Sequence, residues 1–387
     1  MEYNFDEIVV RKGSHCCKWD SPKHDDIIPM WIADMDFRVA EPIINALRKR
    51  VEHGVFGYVC VEDEYYNSVI NWFNRRHNWH IERDWILYTT GVVPAVSVAI
   101  KALTEPGDKV LIQTPVYNCF FSSIKNNGCE SSENPLIYEN GYYRIDFEDF
   151  ERRAADPKVK VFVLCNPHNP ACRVWTKEEL QKMSDICLKH DVRVIADEIH
   201  CELVMPGQKY VPFATLSDEC RKNTVVCNSP SKSFNTAGLH MANIICSEPE
   251  IREKISRAIN VNEVCDVNVF GPEMVIAAYN ESEDWLDQLN VYIKGNYDAL
   301  VKFFEDRIPQ LKVLKSEGTY LAWVDISALG TTGDELSERL LNEGKVYINP
   351  GSMYGNETGR QFVRINMACP RKLMLEGLER MAKVLCK

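Results

Sequence analysis

Short apolar segments recur through the middle of the chain, and polar turns or stretches with helical spacing separate them. They predict strands over residues 85–89, 109–113, 159–164, 192–196, 224–226 and 242–246. Most positions in these segments are apolar, which is typical of strands that are buried on both faces of a parallel sheet. The alternation of strands and helices therefore predicts an α/β fold with a mostly parallel central sheet and helices on both of its faces.

Two helices are indicated by clear local signals. Thr176 and Glu179 form a capping-box pattern at the start of one predicted helix. Residues 91–103 have helical spacing directly after the first predicted strand.

The pattern changes after about residue 280. Apolar residues at helical spacing between residues 285 and 304 predict one long amphipathic helix. Short strands around residues 320–324 and 362–365 and a terminal helix complete the chain. We predict two domains: a large domain over residues 45–285, and a small α+β domain formed by residues 1–44 and 286–387.

The composition of the chain limits the kinds of partner that the protein can bind. The chain has 387 residues and a net charge of −11, which argues against binding to nucleic acid or to an anionic membrane, since both require a cationic face. No apolar run approaches the roughly 18 residues that span a bilayer, and residues 1–7 contain no apolar signal core. We therefore expect a cytoplasmic protein with a small-molecule substrate and with neither a nucleic-acid nor a membrane partner.

Cysteine is unusually frequent, with 15 residues and no C-x-x-C motif. The one local cluster, His15-Cys16-Cys17, has adjacent cysteines that cannot easily fill two corners of a zinc site. We expect reduced thiols and no metal site, in keeping with a cytoplasmic location.

Chemistry-bearing side chains follow four of the predicted strands, and ligands of open α/β sheets bind at these carboxyl ends. In chain order the groups are a helix start at Gly91-Val92-Val93, then Asn166 and Asn169, then Asp197 and His200, then Ser229, Ser231 and Lys232. Taken singly, each has an ordinary structural explanation as a turn, a cap or a surface residue. Their ordered placement at successive strand ends instead favours one shared site.

These groups match the parts of pyridoxal 5′-phosphate (PLP). A helix N-terminus binds a phosphate, and a deprotonated lysine forms a Schiff base with an aldehyde. A buried carboxylate keeps a pyridine nitrogen protonated, so that the ring can accept electrons. The sequence has no G-x-G-x-x-G, Walker A or G-x-S-x-G motif for a rival chemistry. We therefore predict PLP as the cofactor.

The sequence also resembles a known family. The ordered set Tyr117, Asn169, Asp197, Lys232 and Arg364 is similar to that of fold-type I PLP enzymes of the class I/II aminotransferase-like group. Across essentially the whole chain, the resemblance is closer to the cystathionine β-lyase (cysteine-S-conjugate β-lyase) branch. The segments that carry it are 18–20, 33–37, 54–58, 114–117, 197–200, 231–235 and 350–352.

The resemblance implies a role for each matched residue. Lys232 would hold the cofactor as a Schiff base and move the Cα proton of the substrate. Asp197 would pair with the pyridinium nitrogen, and Asn169 with the phenolic oxygen. Tyr117 would stack on the ring, and Arg364 would bind the α-carboxylate of the substrate through a bidentate contact.

Further positions complete the implied site. The phosphate would be bound by the amides of Val92 and Val93 and by the hydroxyls of Ser229 and Ser231. His200 would lie near the phenolic oxygen of the ring. Tyr58 would reach the phosphate of a neighbouring subunit, which implies a homodimer with shared sites.

Two positions depart from the family pattern. The Asn-Pro turn continues with Ala171-Cys172, where relatives usually have Thr-Gly, so the geometry of the turn is in question. His240 occupies the position, eight residues after Lys232, where many relatives have an arginine that binds the phosphate. Phosphate affinity could then depend on pH near the ordinary histidine pKa of about 6.5.

The leading hypothesis is a PLP-dependent carbon–sulfur β-lyase. It would cleave cystathionine or a related S-substituted L-cysteine to pyruvate, ammonia and a thiol. An aminotransferase is the alternative, although a single carboxylate-binding arginine disfavours a dicarboxylate-specific one. A PLP-binding regulatory protein with little turnover is a third hypothesis, and Ala171-Cys172 is its only support.

Overall fold

The computed structural model describes residues 2–22, 26–261 and 265–386. Its strands are β1 Ile28–Pro29, β2 Ile86–Thr89, β3 Lys109–Thr114, β4 Glu130–Pro135, β5 Ile137–Glu139, β6 Tyr142–Arg144, β7 Val159–Cys165, β8 Arg193–Asp197, β9 Thr224–Asn228, β10 Ala242–Ile245, β11 Lys312–Val313, β12 Leu321–Asp325, β13 Val346–Tyr347, β14 Asn349–Pro350 and β15 Phe362–Asn366. Its α-helices are α1 Cys17–Asp20, α2 Glu41–His53, α3 Asp63–His77, α4 Val92–Leu103, α5 Cys119–Asn126, α6 Phe147–Ala154, α7 Lys177–Lys189, α8 Asp218–Asn223, α9 Pro249–Asn260, α10 Gly271–Glu281, α11 Glu283–Arg307, α12 Gly333–Arg339 and α13 Arg371–Leu385.

The central sheet has seven strands in the order β2-β10-β9-β8-β7-β3-β4. Only β10 runs antiparallel to its neighbours. Along β7, Val161 and Val163 pack into one hydrophobic cluster, whereas Phe162 and Leu164 pack into another. Since successive side chains of a strand point to opposite faces, both faces of the sheet are buried. This confirms the predicted α/β architecture.

Strand β4 is absent from the sequence-based prediction. Its residues Glu130–Pro135 include no aliphatic or aromatic residue, yet they pair in parallel with β3 along the whole strand. The position at the sheet edge explains this, because an edge strand is held by backbone hydrogen bonds to one neighbour and needs little apolar burial.

The C-terminal part contains a second, antiparallel sheet in the order β11-β12-β15-β14. The long helix predicted over 285–304 is confirmed as α11, and the predicted boundary between residues 285 and 286 falls near the start of this helix. Strand β1 pairs in parallel with β13, with Ile28 opposite Val346. The N-terminal segment therefore packs beside the C-terminal part of the chain. Within the described ranges, no helix has both the length and the apolar character needed to cross a membrane.

The sequence signals that predicted the starts of two helices are also confirmed. Thr176 and Glu179 form the predicted capping box at the start of α7. Helix α4 begins at Val92 after Gly91, and no side chain caps its N-terminus. Its first backbone N–H groups therefore remain available to a ligand.

Close glycine packing shapes the loop between β14 and β15. A Cβ atom added at Gly359 would overlap the carbonyl oxygen of Gly351, and a Cβ added at Gly351 would overlap that of Gly359. The loop can therefore close only if both positions lack a side chain. Its residue Tyr354 is buried.

Replacing Gly359 with alanine should destabilise this loop, because the new methyl group collides with backbone that cannot rotate away. We expect a fall in Tm of roughly 3–10 °C, measured by circular dichroism during heating. Gly238→Ala is the matched control, since nothing lies within 4 Å of a Cβ atom added there. Equal Tm values for the two variants would contradict the packing described here.

Candidate active site

A cavity of about 300 Å³ opens at the carboxyl ends of β7, β8 and β9. It brings together groups that are far apart in the sequence. Its lining includes Val92, Val93, Tyr117, Asn169, Asp197, His200, Ser231 and Lys232. Eight of the predicted site residues therefore share one cavity.

The start of α4 forms one wall of the cavity. Gly91, Val92, Val93 and Pro94 all line it. Proline has no N–H group, so the backbone donors here are those of Gly91 and of the predicted residues Val92 and Val93. The free N–H groups and the helix dipole together favour an anion at this position. Ser231 lines the same cavity and can add a hydroxyl.

Lys232 lies in the loop after β9. Its Nζ donates a hydrogen bond to the carbonyl oxygen of Ala33 at 2.6 Å, and the Tyr320 hydroxyl donates to the same oxygen at 3.0 Å. The pKa of Lys232 is lowered to about 8, chiefly by burial and also by the Arg364 guanidinium, while Asp34 and Asp197 act in the opposite direction. About a tenth of the amine is therefore neutral at pH 7, and the neutral amine is the form that a nucleophile requires.

Asp197 ends strand β8. One carboxylate oxygen accepts a hydrogen bond from the backbone N–H of Ile199 at 3.1 Å. Burial raises the pKa of Asp197 to about 7, against the opposing effects of this hydrogen bond and of Lys232. A cationic ring nitrogen bound in the cavity would favour the ionised carboxylate.

Asn169 and Arg364 form a direct contact between the two sheets. Arg364, on β15, donates from Nη1 to Asn169 Oδ1 at 3.2 Å and from Nη2 to the Trp31 carbonyl at 3.0 Å. Because the amide oxygen of Asn169 already accepts this bond, its NH₂ group is left to donate to a ligand. Arg364 is only 3% exposed and lies behind Asn169 rather than among the residues lining the cavity.

Two further lining residues are held in neutral forms. Burial raises the pKa of the Tyr117 phenol. Burial also lowers the pKa of His200 to about 3, and Lys232 and Arg364 act in the same direction. The His200 Nδ1 atom is buried without a hydrogen-bond partner, which leaves one polar atom of the imidazole unsatisfied.

Three predicted site residues lie outside this cavity, namely Arg364, Ser229 and Tyr58. Ser229 is buried, and its hydroxyl donates to the Met241 carbonyl at 2.6 Å and accepts from the Ser231 amide at 3.1 Å. These bonds tie Ser229 to the loop that carries Lys232, and its direct phosphate contact stays a prediction. Tyr58 is 97% exposed and lines a different surface depression, beside Arg50.

The turn forms at Ala171-Cys172 although the usual glycine is absent. Cys172 adopts a φ of 59°, in the left-handed region that favours glycine. The buried Cys172 thiol contacts the carbonyl oxygens of Pro170 and Leu321, each at 3.1 Å. Asn169 still reaches the cavity, and His240 lines it as well. Neither departure from the family pattern removes a predicted group from the site.

Sequence reasoning missed the backbone carbonyls that hold the functional side chains. The oxygens of Trp31 and Ala33 accept hydrogen bonds from Arg364 and Lys232, but a carbonyl has no signature in the sequence. The hydroxyl of Tyr320 was also missed, and its neighbourhood gave only a strand pattern.

Comparison with known proteins identifies the family. The family model described as aminotransferase class I and II matches residues 26–381. The chain belongs to this family. Among curated relatives of this aminotransferase class I/II chain, the cystathionine beta-lyase PatB of Bacillus subtilis (strain 168) is 41% identical over 386 residues, covering 99% of this chain and 100% of PatB.

Solved structures agree with this assignment. A PLP-bound protein of Clostridium difficile 630, described as an aminotransferase, is 43% identical with a TM-score of 0.96, covering 99% of this chain and 100% of that chain. The PLP-bound C-S lyase of Staphylococcus hominis is 31% identical with a TM-score of 0.92, covering 100% of this chain and 99% of that chain.

The cavity has the donor set that PLP requires. Free amides at a helix start suit a phosphate, a lysine with a lowered pKa suits an aldehyde, and a buried carboxylate suits a pyridinium nitrogen. The unsatisfied His200 Nδ1 atom is a further polar group that a ligand could engage. The side chains therefore fit this cofactor.

The pKa of Lys232 makes the reactivity of its amine depend on pH. With a pKa of about 8, roughly a tenth of the amine is neutral at pH 7, against less than about a thousandth for an ordinary lysine. Raising the pH through about 8 removes the proton, so the rate of PLP incorporation into the cofactor-free protein should rise steeply from about pH 6 and level off above about pH 8.

Stopped-flow absorbance of the protein-bound cofactor measures this rate. Lys232→Ala is the control, and it should show no absorbance from covalently bound cofactor at any pH. A rate that continues to rise up to about pH 10 would show that the lysine has an ordinary pKa.

Proposed function

We propose that this protein is a PLP-dependent carbon–sulfur β-lyase that cleaves cystathionine or a related S-substituted L-cysteine to pyruvate, ammonia and a thiol. The observation that carries the cofactor assignment is the buried Lys232 amine in one cavity with Asp197 and the start of α4. The lyase reaction is supported by the relative PatB, which is described as a cystathionine beta-lyase. An aminotransferase is the second candidate, supported by the description of the Clostridium difficile protein.

Each residue has a defined task in this proposal. Lys232 Nζ would hold the cofactor aldehyde until the substrate amine displaces it, and the freed amine of Lys232 would then take the proton from the substrate Cα. The amide of Asn169 donates to the phenolic oxygen of the cofactor, and Asp197 accepts from its pyridine N–H. The amides of Val92 and Val93 bind the phosphate. When bound, PLP supplies an electron sink for the pair left on Cα, which allows the thiolate to leave from Cβ.

Other residues orient the reactants. Tyr117 packs on the cofactor ring, and Ser231 adds a hydroxyl at the phosphate. The neutral imidazole of His200 would lie near the phenolic oxygen of the bound cofactor. Arg364 binds the α-carboxylate, whereby the Cα–H bond is held perpendicular to the ring.

The charges of the site favour a substrate with a single carboxylate near the reacting carbon. Within the described residues, Lys232 is the only lysine or arginine that lines the cavity, and Arg364 donates a hydrogen bond to the lining residue Asn169. A second carboxylate close to the ring would therefore have no guanidinium partner. This disfavours a dicarboxylate-specific aminotransferase.

The proposal includes a cytoplasmic homodimer with shared sites. Val51, Val55, Phe56 and Tyr58 are all exposed, and such a cluster of apolar side chains is typical of a surface that a second subunit covers. Tyr58 would then reach the phosphate of the other subunit. We also propose a large domain over residues 45–285 and a small domain of residues 1–44 and 286–387, supported by the pairing of β1 with β13.

The reaction is tested with the purified PLP-loaded protein and cystathionine, without any keto acid. We expect pyruvate and free thiol in equal amounts, measured with lactate dehydrogenase and a thiol reagent. Lys232→Ala should lower the rate by at least about 10³-fold, because both the covalent attachment and the proton acceptor are lost. Its visible cofactor absorbance should also disappear.

The aminotransferase alternative gives a different result in the same assay. It predicts no pyruvate without a keto acid, and exchange of the amino group once a keto acid is added. That outcome would overturn the lyase reaction while leaving PLP binding intact. Retention of the absorbance by Lys232→Ala would overturn the lysine assignment itself.

The shared site is tested by co-expressing Lys232→Ala with Tyr58→Phe and assaying at limiting PLP. If Tyr58 acts across the interface, one site in each mixed dimer has both native residues. The mixture should then recover up to about a quarter of the native activity, above either variant alone. No recovery above the average of the two variants would place Tyr58 outside the neighbouring site.

A further inference from the structure

Arg364 is a buried cation whose hydrogen-bond partners are neutral. Its two Nη atoms donate to an amide oxygen and a backbone carbonyl, both of them neutral, and its Nε is buried without a hydrogen-bond partner. Among the described residues, no carboxylate forms an ion pair with it. A buried charge of this kind is costly unless something compensates it.

The remaining close contact of the guanidinium is an aromatic ring. The Cζ of Arg364 lies 4.7 Å from the centroid of the Tyr354 ring, within the range of a cation–π interaction. We propose that Tyr354 is a positioning residue for Arg364, one that stabilises and orients the guanidinium for the substrate α-carboxylate. This inference rests on the carboxylate-binding role proposed for Arg364.

The ring is itself held from several sides. Asn349 Nδ2 donates to the Tyr354 hydroxyl at 2.9 Å and to the Trp31 carbonyl at 3.1 Å. That carbonyl also accepts from Arg364, so Asn349, Tyr354, Trp31 and Arg364 form a closed set of contacts. The carbonyl of Tyr354 accepts from the Val116 amide at 2.7 Å, which ties the ring to the segment that carries Tyr117.

The packing of the loop fixes the ring further. Gly351 and Gly359 approach so closely that neither tolerates a side chain, and Tyr354 lies between them. Trp323 meets the Tyr354 ring edge-on at 5.6 Å. The ring therefore has little freedom to move, and a guanidinium resting on it is oriented before any substrate arrives.

An aromatic ring is well suited to this position. A carboxylate beside Arg364 would neutralise the guanidinium and compete with the carboxylate of the substrate. The ring compensates part of the charge through its quadrupole and has no ionised oxygen of its own. It therefore leaves the charge available to an incoming carboxylate.

The test compares two ligands that differ only in the carboxylate. L-Alanine carries the α-amino and α-carboxylate groups but no leaving group, and L-alaninamide replaces the carboxylate with a neutral amide. Calorimetry on the PLP-loaded protein measures the Kd of each ligand. For Tyr354→Leu we expect the Kd of L-alanine to rise about threefold to thirtyfold, with little change for L-alaninamide.

Two further variants of Tyr354 distinguish a loss of Arg364 positioning from a loss of folding. Tyr354→Phe keeps the ring and should restore L-alanine binding to within about twofold of the native value, since only the bond to Asn349 is lost. Tyr354→Met provides a second non-aromatic side chain if Tyr354→Leu is unstable. The visible absorbance of bound PLP and the Tm report whether each variant is intact.

The outcomes are distinct. Selective weakening of L-alanine, with KM for cystathionine rising and kcat largely retained, supports the proposal. An equal loss for both ligands, or no loss for either, overturns it. The Kd measurements with L-alanine and L-alaninamide do not require cleavage of a carbon–sulfur bond. Failure of the lyase proposal in the cystathionine assay can therefore be distinguished from failure of the role inferred for Tyr354.

Discussion

The site depends on a short stretch of backbone, residues 31–37, that binds both functional cations. The carbonyl of Trp31 accepts from Arg364, and the carbonyl of Ala33, two residues further on, accepts from Lys232. In the proposed function these two side chains handle the two ends of one amino acid: its α-carboxylate and its Cα–H and amino group. Their spacing is therefore set by one run of main chain, although Arg364 lies on β15 of the smaller sheet and Lys232 lies in the loop after β9 of the central sheet.

This stretch needs strong anchoring, because it belongs to neither sheet. Lys18 and Asp36 form a buried ion pair at 2.7 Å, and Arg11 binds the same carboxylate. Asn235, three residues after Lys232, donates to the carbonyls of Met35 and Phe37. Removing one partner of a buried ion pair leaves an uncompensated buried charge, which strongly destabilises the protein. The lysine loop and residues 31–37 are therefore fixed to each other.

The sequence predicted the parts of this arrangement that are encoded locally. Apolar runs indicated the buried strands, and the polar residues directly after them included Asn169, Asp197 and Lys232, because the carboxyl ends of parallel strands meet at one edge. Strand β4 could not be found in this way, since its residues are polar and its backbone pairing with β3 has no signature in the sequence. The hydroxyl of Ser229 donates to the Met241 carbonyl, a contact that spacing alone does not reveal.

The ionisable groups of the site share one property: the protein compensates their charges only in part. Burial brings the pKa of Asp197 up to about 7 and that of Lys232 down to about 8, so neither is fully committed to its charged form at neutral pH. The guanidinium of Arg364 donates hydrogen bonds to neutral oxygens. A cationic ring nitrogen at Asp197 and a carboxylate at Arg364 would supply the missing opposite charges, and each bound group would then stabilise the charged form it meets. A chain with a net charge of −11 can thus bind an anionic cofactor and substrate, because the compensation is local to the cavity.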